Sequence, residues 1–397
     1  MFFKLLFTFY RIFVNLHAME NFTSLYSQYI LHRLLRLQVG DKLSINCTEE
    51  SLKAAHKIAH DAANFTQVET CIVFIENGKV STTELIKPDG EELDGTSVAM
   101  LNLACFTTPE SAEDLSIVNL QEFKLLSEPI DVDRRISVPW AVCYYPTLAW
   151  AQFCFGSDAT IEQLELALSE IFEFDSLYQK DLTKHLHSST QVRIEEICSF
   201  NPVKLILKSQ TCTLELPIAK TSTLITSSTS VKGRTFYPNC ANSEIIFTLD
   251  YSKANGKFST TYPFRLFNQI FNNASFEIEN GKLISYTTDN DELFKSFFSI
   301  DDQASCVGNL NIVDEYNNHA FYRSSLAIPE LDRARSTSIT FGGVYSDALT
   351  TDKNLSLYSI NTSDGHLELP LGSRSLSVVL VNADNEEKQI LKDGELV

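Results

Sequence analysis

The stretch KLSINCTEESLKAAHKIAHDAANFTQVETCIVFI, residues 42–75, decides the reading of the fold. KLSINC reads as a short strand, and TCIVFI reads as the next one. Between them, residues 48–63 have helical spacing, with Thr48 as the expected N-cap and acids in the first turn. Strand, helix and strand joined by short loops predict a βαβ unit and hence a parallel sheet. His56 and His60 fall four apart on this helix. That spacing could serve zinc if a glutamate and a third ligand joined, but the glutamate of an H-E-x-x-H motif is missing beside His56.

Upstream, residues 20–38 have helical apolar spacing and V-G-D-K at 39–42 predicts a turn. The first eighteen residues, MFFKLLFTFYRIFVNLHA, are apolar on nearly every face but carry Lys4 and Arg11. They are shorter than the ~20 apolar residues of a spanning helix, and Arg11 interrupts a signal-type apolar run. We expect residues 1–18 to be a non-native or disordered extension with Met19 as the true start. A weak signal or anchor is the competing reading.

Downstream, residues 159–187 are again helical in pattern. Beyond about residue 190 short alternating strands dominate: VKLILKS, CTLELPI, SEIIFTLD, KFSTTYPF, ASFEIE and KLISYTT, with an ENGK turn at 279–282 and one helix, DNDELFKSFFSIDDQA. The expected architecture is therefore an α/β domain with a parallel sheet at 19–190, followed by a β-rich α+β domain at 191–397.

Composition narrows the function classes. The chain of 397 residues carries a formal charge of −19, which argues against nucleic acid and anionic lipid as partners. Its nine cysteines are spread singly and form no C-x-x-C pair, which fits reduced thiols in a cytoplasm better than a disulfide frame. P-loop, G-x-G-x-x-G and G-x-S-x-G motifs are missing, so nucleotide and serine mechanisms have no motif support.

Near the C-terminus GHLELPLGSR, residues 365–374, alternates polar and apolar. On a strand His366 and Glu368 share one face. One imidazole and one carboxylate on one face can hold a divalent metal, or can simply be two solvated side chains.

Several stretches together resemble the metallo-aminopeptidases of the aminopeptidase T / aminopeptidase S type. WAVCYYPTLAWAQ (140–152) is similar to that family's Y-P-T-x-A-W-A segment. FYPNCANSEIIFT (236–248) is similar to its F-x-P-N-x-P-T-E-E-V-F-T, HLELPLGS to H-V-D-F-M-I-G-S, and KQILKDGELV to its P-I-F-x-D-G-E-W ending. The resemblance runs over most of the chain from Met19 and is weak at about 85–135 and 160–205. It implies a two-domain, homodimeric, cytoplasmic peptide hydrolase that uses metal to attack the first bond of a peptide with a free N-terminus.

Carried over one position at a time, the resemblance places metal ligands at Glu244, Tyr345, His366 and Glu368. Two further ligand positions are degraded: the family's carboxylate falls on Asn309 and its histidine on Ser338. Two close dications need several carboxylates, so this set implies one divalent metal at most, zinc, cobalt or manganese, and no second metal. The alternative is a non-catalytic paralogue, a pseudoenzyme that keeps the fold for peptide binding or assembly.

Overall fold

The computed structural model describes residues 22–76, 79–87, 98–105, 138–174, 179–220, 222–317, 319–322, 324–345 and 359–397. The extension expected at 1–18 lies outside them. The chain forms two compact units, one of residues 1–108, 113–184 and 228–241, the other of 109–112, 185–227 and 242–397.

Among the described residues the first unit opens on helix α1 (Phe22–Gln28), which widens into a π-helical turn at Tyr29–Leu34. The expected helix therefore ends before residue 38, at Leu35. Strand β1 (Lys42–Cys47), helix α2 (Leu52–Thr66) and strand β2 (Glu69–Glu76) then form the expected parallel βαβ unit. Strands β3 (Lys79–Ile86), β4 (Val98–Cys105) and β5 (Trp140–Tyr145) complete a sheet of order β3-β2-β1-β4-β5. Pairs β1–β4 and β4–β5 are parallel, while β3 is an antiparallel edge. Polar side chains keep that edge wet, in KVSTTELI.

Helix α2 packs through Ala54, Ala55, Ile58, Ala59 and Ala62, all buried, because small side chains let a helix lie close on a sheet. His60 points to solvent on the opposite side, and His56 contacts Glu84 at 3.5 Å. The helix begins later than the sequence pattern suggests, with Ser51 and not Thr48 at its N-cap. The cause is a turn at 48–51, where Ser51 N–H donates to the Thr48 carbonyl at 3.2 Å. The Ser51 hydroxyl is drawn away to the Leu103 carbonyl of β4 at 2.8 Å. In YPTLAWA the threonine has a plain role: Thr147 Oγ1 accepts from Trp150 N–H at 3.2 Å and caps helix α3 (Leu148–Phe155). The helical pattern at 159–187 resolves into α4 (Ile161–Ile171) and the start of α5 (Gln179–Phe200).

Among the described residues the second unit contains two large antiparallel sheets and a two-stranded antiparallel hairpin of Phe264–Leu266 and Gln269–Phe271. The larger has eight strands in the order Lys282–Thr288, Ala274–Glu279, Asn255–Ser259, Cys212–Pro217, Pro202–Lys208, Ser377–Asn382, Glu387–Lys392 and Glu395–Leu396. The Asn-Gly of ENGK closes one hairpin of it, with φ 50° at Asn280 and 77° at Gly281. A two-residue hairpin loop needs positive φ at both positions, which Asn-Gly reaches at little cost.

The smaller sheet has β6 (Ile225–Thr226), β7 (Ile245–Thr248), β8 (Val307–Ile312), β9 (Ser338–Gly342) and β10 (His366–Pro370), in the order β10-β9-β8-β7-β6. Residues of β7, β8 and β9 are buried throughout, as in a sheet covered on both faces. Strand alternation sorts them. Ile245, Phe247, Leu310, Ile312, Ile339, Phe341, Leu367 and Leu369 enter the main apolar core. Phe341 lies 5.2 Å, ring to ring, from Phe276 of the larger sheet, and helix α6 (Asp291–Phe298) adds Phe294 at 5.7 Å from Phe276. The alternate positions, Asn309, Asn311, Ser338, Thr340, His366 and Glu368, fall on the opposite face. That polar face is where the candidate site is built. The observed α/β class, with a parallel sheet first and antiparallel sheets after it, agrees with the sequence expectation.

Candidate active site

Strand β10 sets His366 and Glu368 on one face, and its register places Glu368 beside Thr340 and His366 beside Gly342 of β9. Ser338 lies on the same face of β9 and donates its hydroxyl to Glu368 Oε2 at 2.9 Å. Glu244 precedes β7 and is 2% exposed, its backbone N–H held by Asn242 Oδ1 at 2.9 Å. Tyr345 follows β9, and its backbone N–H donates to Asn309 Oδ1 at 3.0 Å. Asn309 Nδ2 donates in turn to the Phe247 carbonyl at 3.3 Å and to Thr248 Oγ1 at 3.2 Å. The Asn309 amide is thus spent joining β7, β8 and the Tyr345 segment.

Glu244, Tyr345, His366 and Glu368 lie around one further side chain. They gather around a cation that the chain itself supplies. Arg333, the last residue of helix α7 (Pro329–Arg333), donates Nε–H to Glu244 Oε2 at 2.9 Å and Nη2–H to Glu244 Oε1 at 3.2 Å. Its Nη1 donates to the Tyr345 hydroxyl at 2.6 Å and lies 3.9 Å from Glu368 Oε1. The guanidinium also stands 5.0 Å from the Tyr345 ring centre, in cation–π range. A bidentate Arg–carboxylate pair is among the strongest hydrogen-bonded contacts a protein makes.

The remaining protons follow from the donors. Tyr345 donates its hydroxyl to Glu368 Oε1 in a short contact. His366 Nδ1 lies 2.9 Å from the Gly343 carbonyl, which can only accept, so Nδ1 carries a proton. His366 Nε2 faces Tyr345 Oη at 3.1 Å and Glu368 Oε1 at 3.4 Å, with the imidazole 32% exposed. Burial works against the charged imidazole, but the Glu368 carboxylate outweighs it and raises the His366 pKa. Burial likewise works against ionised Glu368, yet His366, Arg333 and the Tyr345 hydroxyl hold its pKa down to about 2. Burial together with the neighbouring carboxylates pushes the Tyr345 phenol well above its ordinary range, although Arg333 opposes this. Arg333 is buried, which disfavours its charge, but Glu244, Tyr345 and Glu368 keep it charged and raise its pKa further.

Two carboxylates meet one guanidinium and the His366 imidazole, whose protonated form Glu368 favours. In this arrangement the donor set does not fit a divalent ion. Both Glu244 oxygens and the Tyr345 oxygen already accept guanidinium N–H groups. Two unit charges of like sign 4 Å apart repel by about 4 kcal/mol at a near-surface effective dielectric, and a dication doubles that. Among the described residues, His, Cys, Asp and Glu form no group of three or more suited to holding a metal ion.

Sequence pattern alone misses Arg333. Its only signal is the pair of arginines in PELDRARS just upstream of β9, in an otherwise acidic chain. Helix α7, not a strand period, delivers it.

The fold and the site lead to a known class of protein. The chain matches the thermophilic metalloprotease family over residues 20–396. It is 21% identical to aminopeptidase PepS of Streptococcus thermophilus over 275 residues, covering 66% of each chain. It is 20% identical to aminopeptidase AmpS of Bacillus subtilis over 273 residues, 65% of each. The matched stretch spans just under two thirds of the length of these relatives. Among solved structures, wild-type AmpT from Thermus thermophilus superposes with a TM-score of 0.76 at 14% identity, over 96% of this chain and 100% of that one, a likeness of fold. The chain belongs to the thermophilic metalloprotease family, and the resemblance to the aminopeptidase T / aminopeptidase S type holds. The family is one of metallopeptidases. Among the described residues no helix is long and apolar enough to cross a membrane.

Proposed function

We propose that this chain is an aminopeptidase-family protein that binds peptides with a free N-terminus at this site without hydrolysing them through a bound metal. One observation carries the reading: Arg333 takes both oxygens of Glu244 and the hydroxyl of Tyr345. A hydrolytic metal needs such groups free for coordination, with an open position for water. The aminopeptidase names of the relatives support a peptide as ligand. The partly exposed His366 gives the cluster a side that a ligand could reach.

A second reading, a metal-dependent aminopeptidase with one zinc, cobalt or manganese ion, is favoured by the convergence of Glu244, Tyr345, His366 and Glu368. Two assays separate the readings: hydrolysis of amino-acid nitroanilides with each of those metals, and binding of a fluorescent peptide with its N-terminus free or acetylated. Absence of turnover with binding that requires the free N-terminus supports the first reading. Turnover with any of the metals overturns it in favour of the second, and absence of both turnover and binding removes the peptide ligand.

A cytoplasmic location is supported by cysteines that are spread singly and form no C-x-x-C pair. A homodimer is the assembly the family resemblance suggests, and light scattering on the purified chain tests it.

A further inference from the structure

We infer that the peptide is held as an added strand on the open edge of β10, hydrogen-bonded to the main chain of His366 and Glu368, with its free N-terminus at the Pro370 end. The inference rests on the proposed function, that a peptide binds here, and adds how the peptide is gripped.

The observation is a short run of main chain without a partner. Strand β10 stands last in the order β10-β9-β8-β7-β6, so one side of it meets β9 and the other meets no strand of that sheet. In an antiparallel pair, residues alternate between turning both N–H and C=O toward the neighbouring strand and turning both away. The bonds at the two ends of β10 fix which residues do which. Gly343 N–H donates to the Gly365 carbonyl at 2.8 Å, and Leu371 N–H donates to the Thr337 carbonyl at 2.9 Å. Gly365 and Leu371 therefore face β9, as do Leu367 and Leu369 between them. Gly342, opposite His366, turns its N–H the other way, to the Cys306 carbonyl at 2.9 Å.

His366, Glu368 and Pro370 are thus directed to the open side. Pro370 shows this directly, because its carbonyl accepts from Thr261 N–H at 2.9 Å. Among the described residues, the main-chain N–H and C=O groups of His366 and Glu368 have no hydrogen-bond partner. Leu367 and Leu369 are 3% and 0% exposed, which anchors the strand in the core. His366 is exposed as a residue while its imidazole is 32% exposed, so its main chain adds to the open surface.

This edge lacks the usual guards. Bulges and charged side chains blunt an edge strand against unwanted pairing. The edge strands Lys79–Ile86 and Lys282–Thr288 each meet their neighbour through a bulge, whereas β10 pairs with β9 in unbroken register. The opening from His366 to Glu368 is too short to draw in another sheet, but it suits the end of an extended peptide. Direction follows from the closed end. A peptide antiparallel to β10 has its N-terminus toward Pro370, where Thr261 stops it, and its later residues run past His366. Its side chains then alternate between the polar face and the side away from it, so strand addition leaves Arg333 on Glu244.

The test uses the full-length chain and alanine–leucine pentapeptides with a free N-terminus and a C-terminal fluorophore. The parent is compared with versions carrying one methyl on the backbone nitrogen of the second, third, fourth or fifth residue. A paired strand makes these nitrogens alternate. Methylation at one alternate set should weaken binding by about tenfold or more, because a main-chain carbonyl is left unpaired, and methylation at the other set should leave it near the parent. In isotopically labelled protein, saturating parent peptide should slow exchange of the His366 and Glu368 amide protons. Parent binding without the alternation, or with both amides exchanging as before, overturns this inference alone. Failure of the parent to bind removes the proposed function and this inference with it. Protection of the same amides that needs no peptide and grows with protein concentration assigns the edge to a second copy of the chain, and also overturns the inference.

Discussion

Arg333 grips both carboxylate oxygens of Glu244, at 2.9 and 3.2 Å, across 89 residues of sequence. This pair ties the end of α7 to the start of β7 and sets the charge of everything around it. Arg333→Met should destabilise the chain by about 3–5 kcal/mol, the usual result of leaving a buried partner uncompensated. Arg333→Lys should recover only part of that loss, because an ammonium cannot reproduce the two-pronged contact. Urea unfolding of the three proteins without metal checks the order.

A second prediction concerns pH. Glu315 is 1% exposed, and burial raises its pKa from 4.5 to about 7, against the opposing Thr337 and Ser336 hydrogen bonds. The folded state then holds a proton that the unfolded state has lost between these two values. The contribution of Glu315 to stability is complete below about pH 4.5, declines as pH rises toward 7, and is flat above it. The loss is about 3 kcal/mol at most. Glu315→Gln should remove this slope while keeping the Thr337 contact, so the variant gains on wild type at pH 8 and not at pH 4.5. Urea midpoints at both pH values measure it.

Glu368 shows the opposite sign. Its folded pKa of about 2 lies below the ordinary 4.5. Its contribution is therefore present above about pH 4.5 and is lost as pH falls toward 2. Glu368→Gln should flatten acid unfolding in that window, and acid titration followed by circular dichroism reads the difference.

Gly342 ends β9 beside His366 with φ +95°, and a Cβ there would run into the Gly365 carbonyl. Gly342→Ala should cost several kcal/mol, since it adds backbone strain to a collision with backbone. It should also shift the His366 ring away from the Gly343 carbonyl. Thermal unfolding and the imidazole NMR signals of His366 report the two effects separately.

Much of this arrangement is legible in the sequence because it obeys a period. HLELP alternates, so His366 and Glu368 share a face, and SITFG alternates, so Ser338 joins them. KLSINC, the alanine-rich helix and TCIVFI declare the βαβ unit for the same reason. Thr48 misleads because a polar residue before a helix pattern has several possible partners. The observed turn uses Thr48 at its start and moves the helix to Leu52. Arg333 is illegible because its role depends on tertiary placement. An arginine at the end of a five-residue helix is ordinarily a surface residue, and only the packed fold turns it onto Glu244.

Cobalt titration of the chelator-treated wild-type chain, read by visible absorption, tests most directly whether Arg333 excludes a metal ion. With Arg333 in the cation's place, no site spectrum should develop up to millimolar cobalt. A stoichiometric four- or five-coordinate spectrum that disappears in Glu244→Gln and in His366→Ala would contradict it.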